Sequence, residues 1–575
     1  MKANKFISVI LLITLVIFTN LLCSFINWDI DLTAEKKHSF SQETTAIIKG
    51  LDDNLFIKVY LEGDFPADFK KLQKATEELL KRFKSIASTN VDFEFINPNA
   101  TTSDDEKLAL FKQLVKLKLA PTDLEIRKMG KQVNQIIFPG AIIYYKNKQV
   151  AVNFLKQKAG KSPSSKINTS LENLEFEFVS AIQHLTKNSL DKIAFLEGNG
   201  ELNVNQVYDI TKSVSDDNFN LSYYYNVDRF NIKEFAIDSL TMLPDLARQL
   251  TILNMYKAII IAKPTIPFNN MDKLLIDQYI MQGGKALWLV DGVKANMDSL
   301  QNKSGSFIAN KNDLNIDDQL LKYGVRINAN LIEDLRSTKI PITTGYSNNK
   351  PQQSYFNWPY FPLLVSDSKH AISKGLDGIK CDFVSSIDTV KNNIRKTILL
   401  HSSKKIRLNL APAKISLGIL KNPPRIESYN KEYEPIAVLL EGEFESVFKD
   451  KLVQKNNKIQ LKEKSKSNKM IIVADGDLIA NKVSPSGTIF PLAYDPNIKY
   501  TYPGNKHFLI NAVQYLCDDN GLSHLKTKEL SLRMLDKEKV QKNKLFIQLI
   551  NIVLPILFLM IFAFFFNRNK KRKYA

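Results

Sequence analysis

At 575 residues the chain exceeds one ordinary domain, and 44% hydrophobic with 24% charged residues describes a folded protein, not a disordered one. The net charge of +19 raises nucleic acid as a partner. That excess is spread out, much of it is lysine and no nucleic-acid motif accompanies it, so a location facing anionic membrane lipid accounts for it at least as well and no nucleic acid is expected.

Lys2 and Lys5 precede Phe6–Ile26, a run without a charged residue. As a helix it would be roughly 30 Å long, the thickness of a bilayer core. A cleaved signal peptide is the competing reading, but the run is long and ends Asn20-Leu-Leu-Cys-Ser24 without a small-residue cleavage pattern. Cys23 follows the bulky Leu22, which argues against a lipoprotein cysteine and for a buried thiol.

Ser41 is a helix cap ahead of Gln-Glu-Thr-Thr. Leu55–Leu61 reads as a strand. Phe69, Leu72, Thr76, Leu79, Phe83 and Ile86 fall on one helical face, and Val91–Ile96 is a second strand, so this first unit is α/β. Ala141–Tyr145 and Gln149–Val152 form a hairpin, Gly160–Ser165 is a polar loop, and Leu171–Leu185 is a connecting helix. A second α/β series follows, with strands at Lys192–Leu196, Tyr256–Ala262, Lys285–Val290, Lys396–Leu400 and Met470–Ala474. Helices are expected at Met271–Met281 and Gly504–Asp518. Near-continuous apolar strands predict a mostly parallel sheet covered on both faces. Residues 301–395 look like a less regular insertion, and Lys451–Lys469 like a solvated loop. Leu545–Phe566 is a second uncharged run, tolerant of Gln548, Asn551 and Pro555, and Arg568, Lys570, Lys571, Arg572 and Lys573 follow it. By the positive-inside rule both termini are cytoplasmic and the bulk lies across the membrane. The expected organisation is therefore a cytoplasmic 1–5, spans at 6–26 and 545–566, a small α/β domain at 27–165, a larger one at 166–544, and a basic cytoplasmic tail at 567–575.

Three groups of residues invite a chemical reading. Glu197-Gly-Asn-Gly-Glu201 follows a strand where a phosphate-binding loop would sit, but position 203 is Asn rather than the third glycine. No other nucleotide cradle is present, so a structural turn is expected and no nucleotide is expected to bind. Asp291-Gly292 and Asp475-Gly-Asp477 also end strands; such carboxylates occur at α/β active sites, yet are common as turn formers. No histidine lies near them in sequence. His38, His184, His370, His401, His507 and His524 lack ligand spacing, and Cys23, Cys381 and Cys517 form neither a disulfide framework nor a metal motif. Neither cysteine beyond Cys23 occupies a strand-to-helix elbow, and no serine-hydrolase elbow exists. We expect no catalytic, cofactor or metal residue.

Several segments carry a resemblance. Leu61-Glu-Gly-Asp-Phe-Pro66, Lys192-Ile-Ala-Phe-Leu-Glu-Gly198, Asp277-Gln-Tyr-Ile-Met-Gln-Gly-Gly-Lys285 and Val438-Leu-Leu-Glu-Gly442 are four. Ala474-Asp-Gly-Asp-Leu-Ile-Ala-Asn481, Gly504-Asn-Lys-His-Phe-Leu-Ile-Asn511, Leu532-Arg-Met-Leu-Asp-Lys537 and the closing Arg572-Lys-Tyr-Ala575 complete the set. Together they resemble the gliding-motility-associated ABC transporter auxiliary family GldG, within the wider ABC-type transport system auxiliary family; His507 departs from that family's usual acidic residue. The resemblance implies a Rossmann-like or amidotransferase-like sheet without a nucleophile, a partner permease and a separate ATPase. It carries no established catalytic residues. The expected function is a non-enzymatic extracytoplasmic, substrate-binding-like accessory subunit in the inner membrane. The rivals are a periplasmic envelope enzyme and a structural scaffold, each with a degenerate α/β site.

Overall fold

The computed structural model describes residues 40–527 and 543–574, with Thr14 and Phe18. Within the first range, residues 88–89, 101–102, 129–130, 156–162, 188, 216–218, 236, 238–243, 348–349, 367 and 450–460 lie outside the description. The expected span at 6–26 and Cys23 therefore lie almost entirely outside the described residues, as do His38, half of the loop expected at 160–165 and much of that at 451–469.

The first α/β core grows from local signals. The Ser41 hydroxyl accepts the Thr44 amide at 3.0 Å and opens α1 (Gln42–Lys49). β1 (Leu55–Val59) alternates buried and half-buried residues, pairing parallel with β2 (Val91–Phe95) and antiparallel with β5 (Gly140–Tyr145), which hairpins to β6 (Lys148–Asn153). α2 (Ala67–Ala87) lays Phe69, Leu72, Leu79, Leu80 and Phe83 on one sheet face. α4 (Pro163–Thr186) fills the same core through Phe178, Val179 and Ile182, with Phe83 and Phe178 edge to face at 6.4 Å. This helix thus belongs to the first sheet's core, and it already includes Pro163–Ser165. α3 (Asp104–Lys116) covers the other face, where Leu114 and Ile142 share a cluster, and β3 (Thr122–Lys128) and β4 (Lys131–Ile137) form a separate hairpin.

The larger sheet has seven strands. Its order is β19 (Arg395–His401), β22 (Pro435–Glu445), β23 (Lys464–Val473), β10 (Lys285–Leu289), β9 (Ala258–Ala262), β7 (Lys192–Glu197) and β8 (Asn226–Asn231). The five from β23 to β8 are parallel; β22 runs antiparallel to both neighbours. Register explains the unbroken apolar runs. Ala194, Ile259, Ala286, Met470 and Leu440 align across the sheet and all face one core. The next row, Phe195, Ile260, Leu287, Ile471 and Leu439, faces the other. α5 (Leu246–Leu253), α6 (Asn270–Met281) and α7 (Asp317–Tyr323) cover the first face. α8 (Pro503–Cys517) covers the second together with residues of the insertion. A reciprocal cap between Asn269 and Asp272 starts α6, and Gly283, at φ +105°, ends it.

The insertion expected as irregular is a β-rich module. It holds β11 (Val293–Lys294), β12 (Ser306–Lys311), β13 (Val325–Ile327) and β14 (Asn330–Asp334). The long hairpin of β15 (Ser337–Ser347) and β16 (Lys350–Leu364), then β17 (Ile379–Lys380) and β18 (Ile387–Thr389), follow. It does not close at 395: β14 and β12 pair with β20 (Ile406–Leu410) and β21 (Ala413–Ser416), beyond β19. Its own core gathers Trp358, Tyr360, Phe361 and Phe383. The lysine-rich run is likewise not all loop, since Lys464–Lys469 continues β23 alongside Glu441–Glu445. Ser465 and Asn468 turn inward there, and Asn468 Nδ2 donates to the Ile280 and Gly284 carbonyls at 3.0 and 2.8 Å.

The chain divides into two compact units, with the described residues 40–527 in one and 543–574 in the other. In the second, α9 (Lys544–Tyr574) contains Gln548–Asn569, long and apolar enough to cross a membrane, with mean hydropathy 2.8 and none of it buried. It covers the C-terminal span expected at 545–566.

Candidate functional site

In chain order, β8-β7-β9-β10-β23 reads 2-1-3-4-5, which places the topological switch point between β7 and β9. Open α/β sheets bind ligands outside the carboxyl ends of their strands at such a point. Here the protein fills it. Asn199, fully buried, accepts the Thr265 and Ile266 amides through its carbonyl, both at 2.9 Å. Its own amide donates to Glu201 Oε2 at 2.7 Å, and the Leu202 amide donates to the Ala262 carbonyl. A Cβ on Gly200, at φ +71°, would lie 2.2 Å from Thr265 Oγ1. Glu197 is held by Arg229, whose guanidinium also donates to the Leu202 carbonyl at 2.6 Å. Glu197-Gly-Asn-Gly-Glu201 is thus a packed turn with a carboxylate in the place a phosphate would need.

One step along the same edge, the loops after β9, β10 and β23 bring Lys263, Asp291, Asp475 and Asp477 together, and the end of β17 with the turn after it adds Lys380, Cys381 and Asp382. Lys263 pairs with Asp477 and, at 3.5 Å, with Asp291 Oδ2; Lys380 pairs with Asp382. Backbone amides complete the set. Gly476 donates to Asp291 Oδ1 at 2.5 Å, and Asp477 and Leu478 to Asp475 Oδ1 at 2.8 and 3.1 Å. Asp382 donates to Asp475 Oδ2 at 3.1 Å. Burial, with Asp477, Asp291 and Asp382 nearby, lifts Asp475 well above the usual carboxylate range. Burial and Asp291 push Asp477 up to about 7 against the pull of Lys263. Burial would lower the Lys263 ammonium, but Asp291 and Asp477 more than offset it and leave it raised.

The chemistry open to this cluster is narrow. One carboxyl oxygen from each of Asp291, Asp475 and Asp477 lies within 4.8 Å of the others, the spacing for a small divalent cation. Yet the Lys263 ammonium already supplies positive charge there, and protein donors already engage oxygens of all three. Asp477 would be a proton donor at neutral pH, but the opening beside it measures about 30 Å³, room for one water. The nearby Ser385 hydroxyl donates to the Asn330 carbonyl. Burial, then Asp475, raises the Cys381 thiol well above its ordinary value, and burial pushes Cys517 up to about 12, so neither is a ready thiolate.

Of the residues singled out in the sequence, Asp291, Asp475 and Asp477 meet. The described histidines stand apart from them on aromatic neighbours, His184 on Tyr223, His370 and His524 on Tyr515, His401 on Tyr433 and His507 on Phe219. Lys263, Lys380 and Asp382 escaped the sequence reading. Lys263 alone left a trace, as the first charge after the apolar run ending at Ala262.

A doubly wound α/β protein whose carboxyl edge is closed by its own ion pairs is the class the fold defines. The family model of the ABC-type uncharacterized transport system (ABC_transp_aux) matches residues 190–512, from β7 to within α8 and more than half of the chain, and the chain belongs to that family. It is accordingly an auxiliary protein of ABC-type transport. A second model, a domain of unknown function (DUF7088), matches residues 34–144. No curated protein matches. Among solved structures, the mmIFT52 N-terminal domain aligns at 14% identity and a TM-score of 0.29, over 56% of this chain and 96% of that one.

Proposed function

We propose that the chain is a non-enzymatic, membrane-anchored accessory subunit of an ABC transporter, with both sheets outside the cytoplasm, and that it works with a permease and a separate ATPase. The observation that carries this reading is the closed carboxyl edge of a sheet belonging to a transport-auxiliary family. Where a doubly wound enzyme would admit substrate, this protein places Glu201, Asn199 and the Lys263–aspartate pairs. The Gln548–Asn569 helix and the basic residues beyond it supply the second anchor and its cytoplasmic end. A two-pass inner-membrane topology, with both termini cytoplasmic, follows from adding the N-terminal run. Service to gliding motility rests on the resembling segments, from Leu61–Pro66 to Gly504–Asn511.

The reading is tested on the intact chain. A reporter fused after Ala575 behaves as cytoplasmic and one inserted at Ser164 as periplasmic; a cytoplasmic signal at Ser164 overturns the topology. Magnesium and ATP leave the melting temperature unchanged, whereas a nucleotide at 100-fold its dissociation constant would stabilise by about 2.7 kcal/mol. A turnover abolished by Asp477→Asn would favour an envelope enzyme instead.

A further inference from the structure

The amino edge of the large sheet holds a cleft of about 230 Å³ that the carboxyl-edge chemistry does not use. Its walls come from three places. α4 of the first core contributes Ser180, Gln183 and His184; the last turns of α8 contribute Gln514 and Cys517; and the strap that follows α8, residues 518–527, closes the third side. That strap is sewn into the first core, where Leu522 and Leu525 are buried and the Lys526 ammonium lies 4.2 Å from the Phe176 ring centroid. It is also the last described stretch before the chain runs on to α9.

The charges around the cleft are already matched. Lys257 pairs with Asp191 at 3.2 Å and with Asp519 at 2.7 Å, and Lys187 pairs with Asp191 at 2.9 Å. Asp518 accepts the Asn520 and Ser523 amides at 3.1 and 2.6 Å. What remains unmatched is neutral. The side chains of Ser180, Gln183 and Ser523 have no hydrogen-bond partner among the described residues, although Ser523 is only 7% exposed. His184 is held toward its neutral form, chiefly by burial and then by Lys148 and Lys187. A charged guest would have to break ion pairs to be held, whereas hydroxyl groups could both give and take hydrogen bonds with these side chains. The volume is about eight times a water's share of the liquid, so it suits a guest of roughly a dozen non-hydrogen atoms or fewer.

We propose that this cleft binds a small uncharged polyhydroxyl molecule, of polyol or monosaccharide size, and that occupancy fastens the 518–527 strap to α4. In the accessory subunit this would be a cargo or sensing site, a role that rests on the transporter reading; the binding itself does not.

The test uses the full chain in mild detergent, with glucose, galactose and myo-inositol as neutral probes. Glycine and phosphate are the charged contrasts. A neutral probe at about tenfold its dissociation constant slows hydrogen exchange in 518–527 roughly tenfold and raises the melting temperature. Ser180→Leu, which fills the cleft from a half-buried position, abolishes both effects without changing the probe-free melt. Gln183→Leu serves if that variant fails to fold. No response to any neutral probe overturns the proposal, as does an equal response to glycine or phosphate, or a full response in the folded variant. Probe binding that persists in a chain which associates with no transporter subunit would overturn the transporter reading alone.

Discussion

Replacing Asp477 with asparagine should make the protein more stable relative to wild type as the pH rises. Asp477 sits among Asp291, Asp475 and Asp382 with Lys263 as its cation, and burial first, then Asp291, lifts its carboxyl to about 7 from an ordinary 3.8. A carboxyl raised in the folded state keeps a proton that the unfolded chain has released. Its contribution is therefore full below about pH 4 and is lost as the pH climbs through 7. Asparagine holds no such proton. Between pH 5 and pH 8 the difference between variant and wild type should grow by at most about 2.7 kcal/mol, two pKa units at 1.36 kcal/mol each. The Asp477 side chain keeps 24% of its surface exposed, so about half that figure is expected. His184 and His370, held low by burial, slope the other way but are common to both proteins and cancel in the difference. Thermal melts of detergent-purified protein at pH 5, 6, 7 and 8 read the effect as a widening gap of a few degrees. Parallel curves, or a variant destabilised equally at every pH, would refute the reasoning.

Other perturbations follow from the same contacts. Lys263→Met leaves Asp291 and Asp477 without their cation and should cost about 3–5 kcal/mol, read as a melting loss that is largest at pH 8. Gly200→Val drives a Cβ into Thr265 at a positive φ and should lower the melting temperature with or without nucleotide; an unchanged melt would show that the turn is loosely packed. Leu522→Asp with Leu525→Asp puts two charges into the first core and should expose the strap to limited proteolysis near residue 520 before the large sheet is cut.

Much of the architecture was legible because burial on both faces writes itself as unbroken apolar strands. Ile259–Ile261 and Met470–Val473 read as strands for that reason. Ser41 likewise announced its helix start. What hid was polar sequence held by long-range partners. β8, Asn226–Asn231, is an edge strand whose Arg229 is tied to Glu197, a pairing that no local pattern predicts. Lys464–Lys469 resembled a loop because its buried residues are Ser465 and Asn468, whose side chains bond to Phe444 and to the end of α6. No local signal carries the insertion past 395, because its returning strands, β20 and β21, lie beyond a strand of the main sheet. At the carboxyl edge, Asp291, Asp475 and Asp477 stood out as strand-end acids. Lys380 and Asp382 did not, because the end of β17 and the turn after it reach the cluster from within the insertion.

The central claim, an accessory subunit acting through partners, is met most directly by isolating the full chain from native membranes in mild detergent through a tag and assaying ATP hydrolysis. A permease and an ATPase subunit should accompany it in fixed proportion, the complex should hydrolyse ATP, and the chain purified alone should neither hydrolyse it nor shift its melting temperature with it. A chain recovered without transporter subunits, or one that hydrolyses ATP by itself, would contradict it.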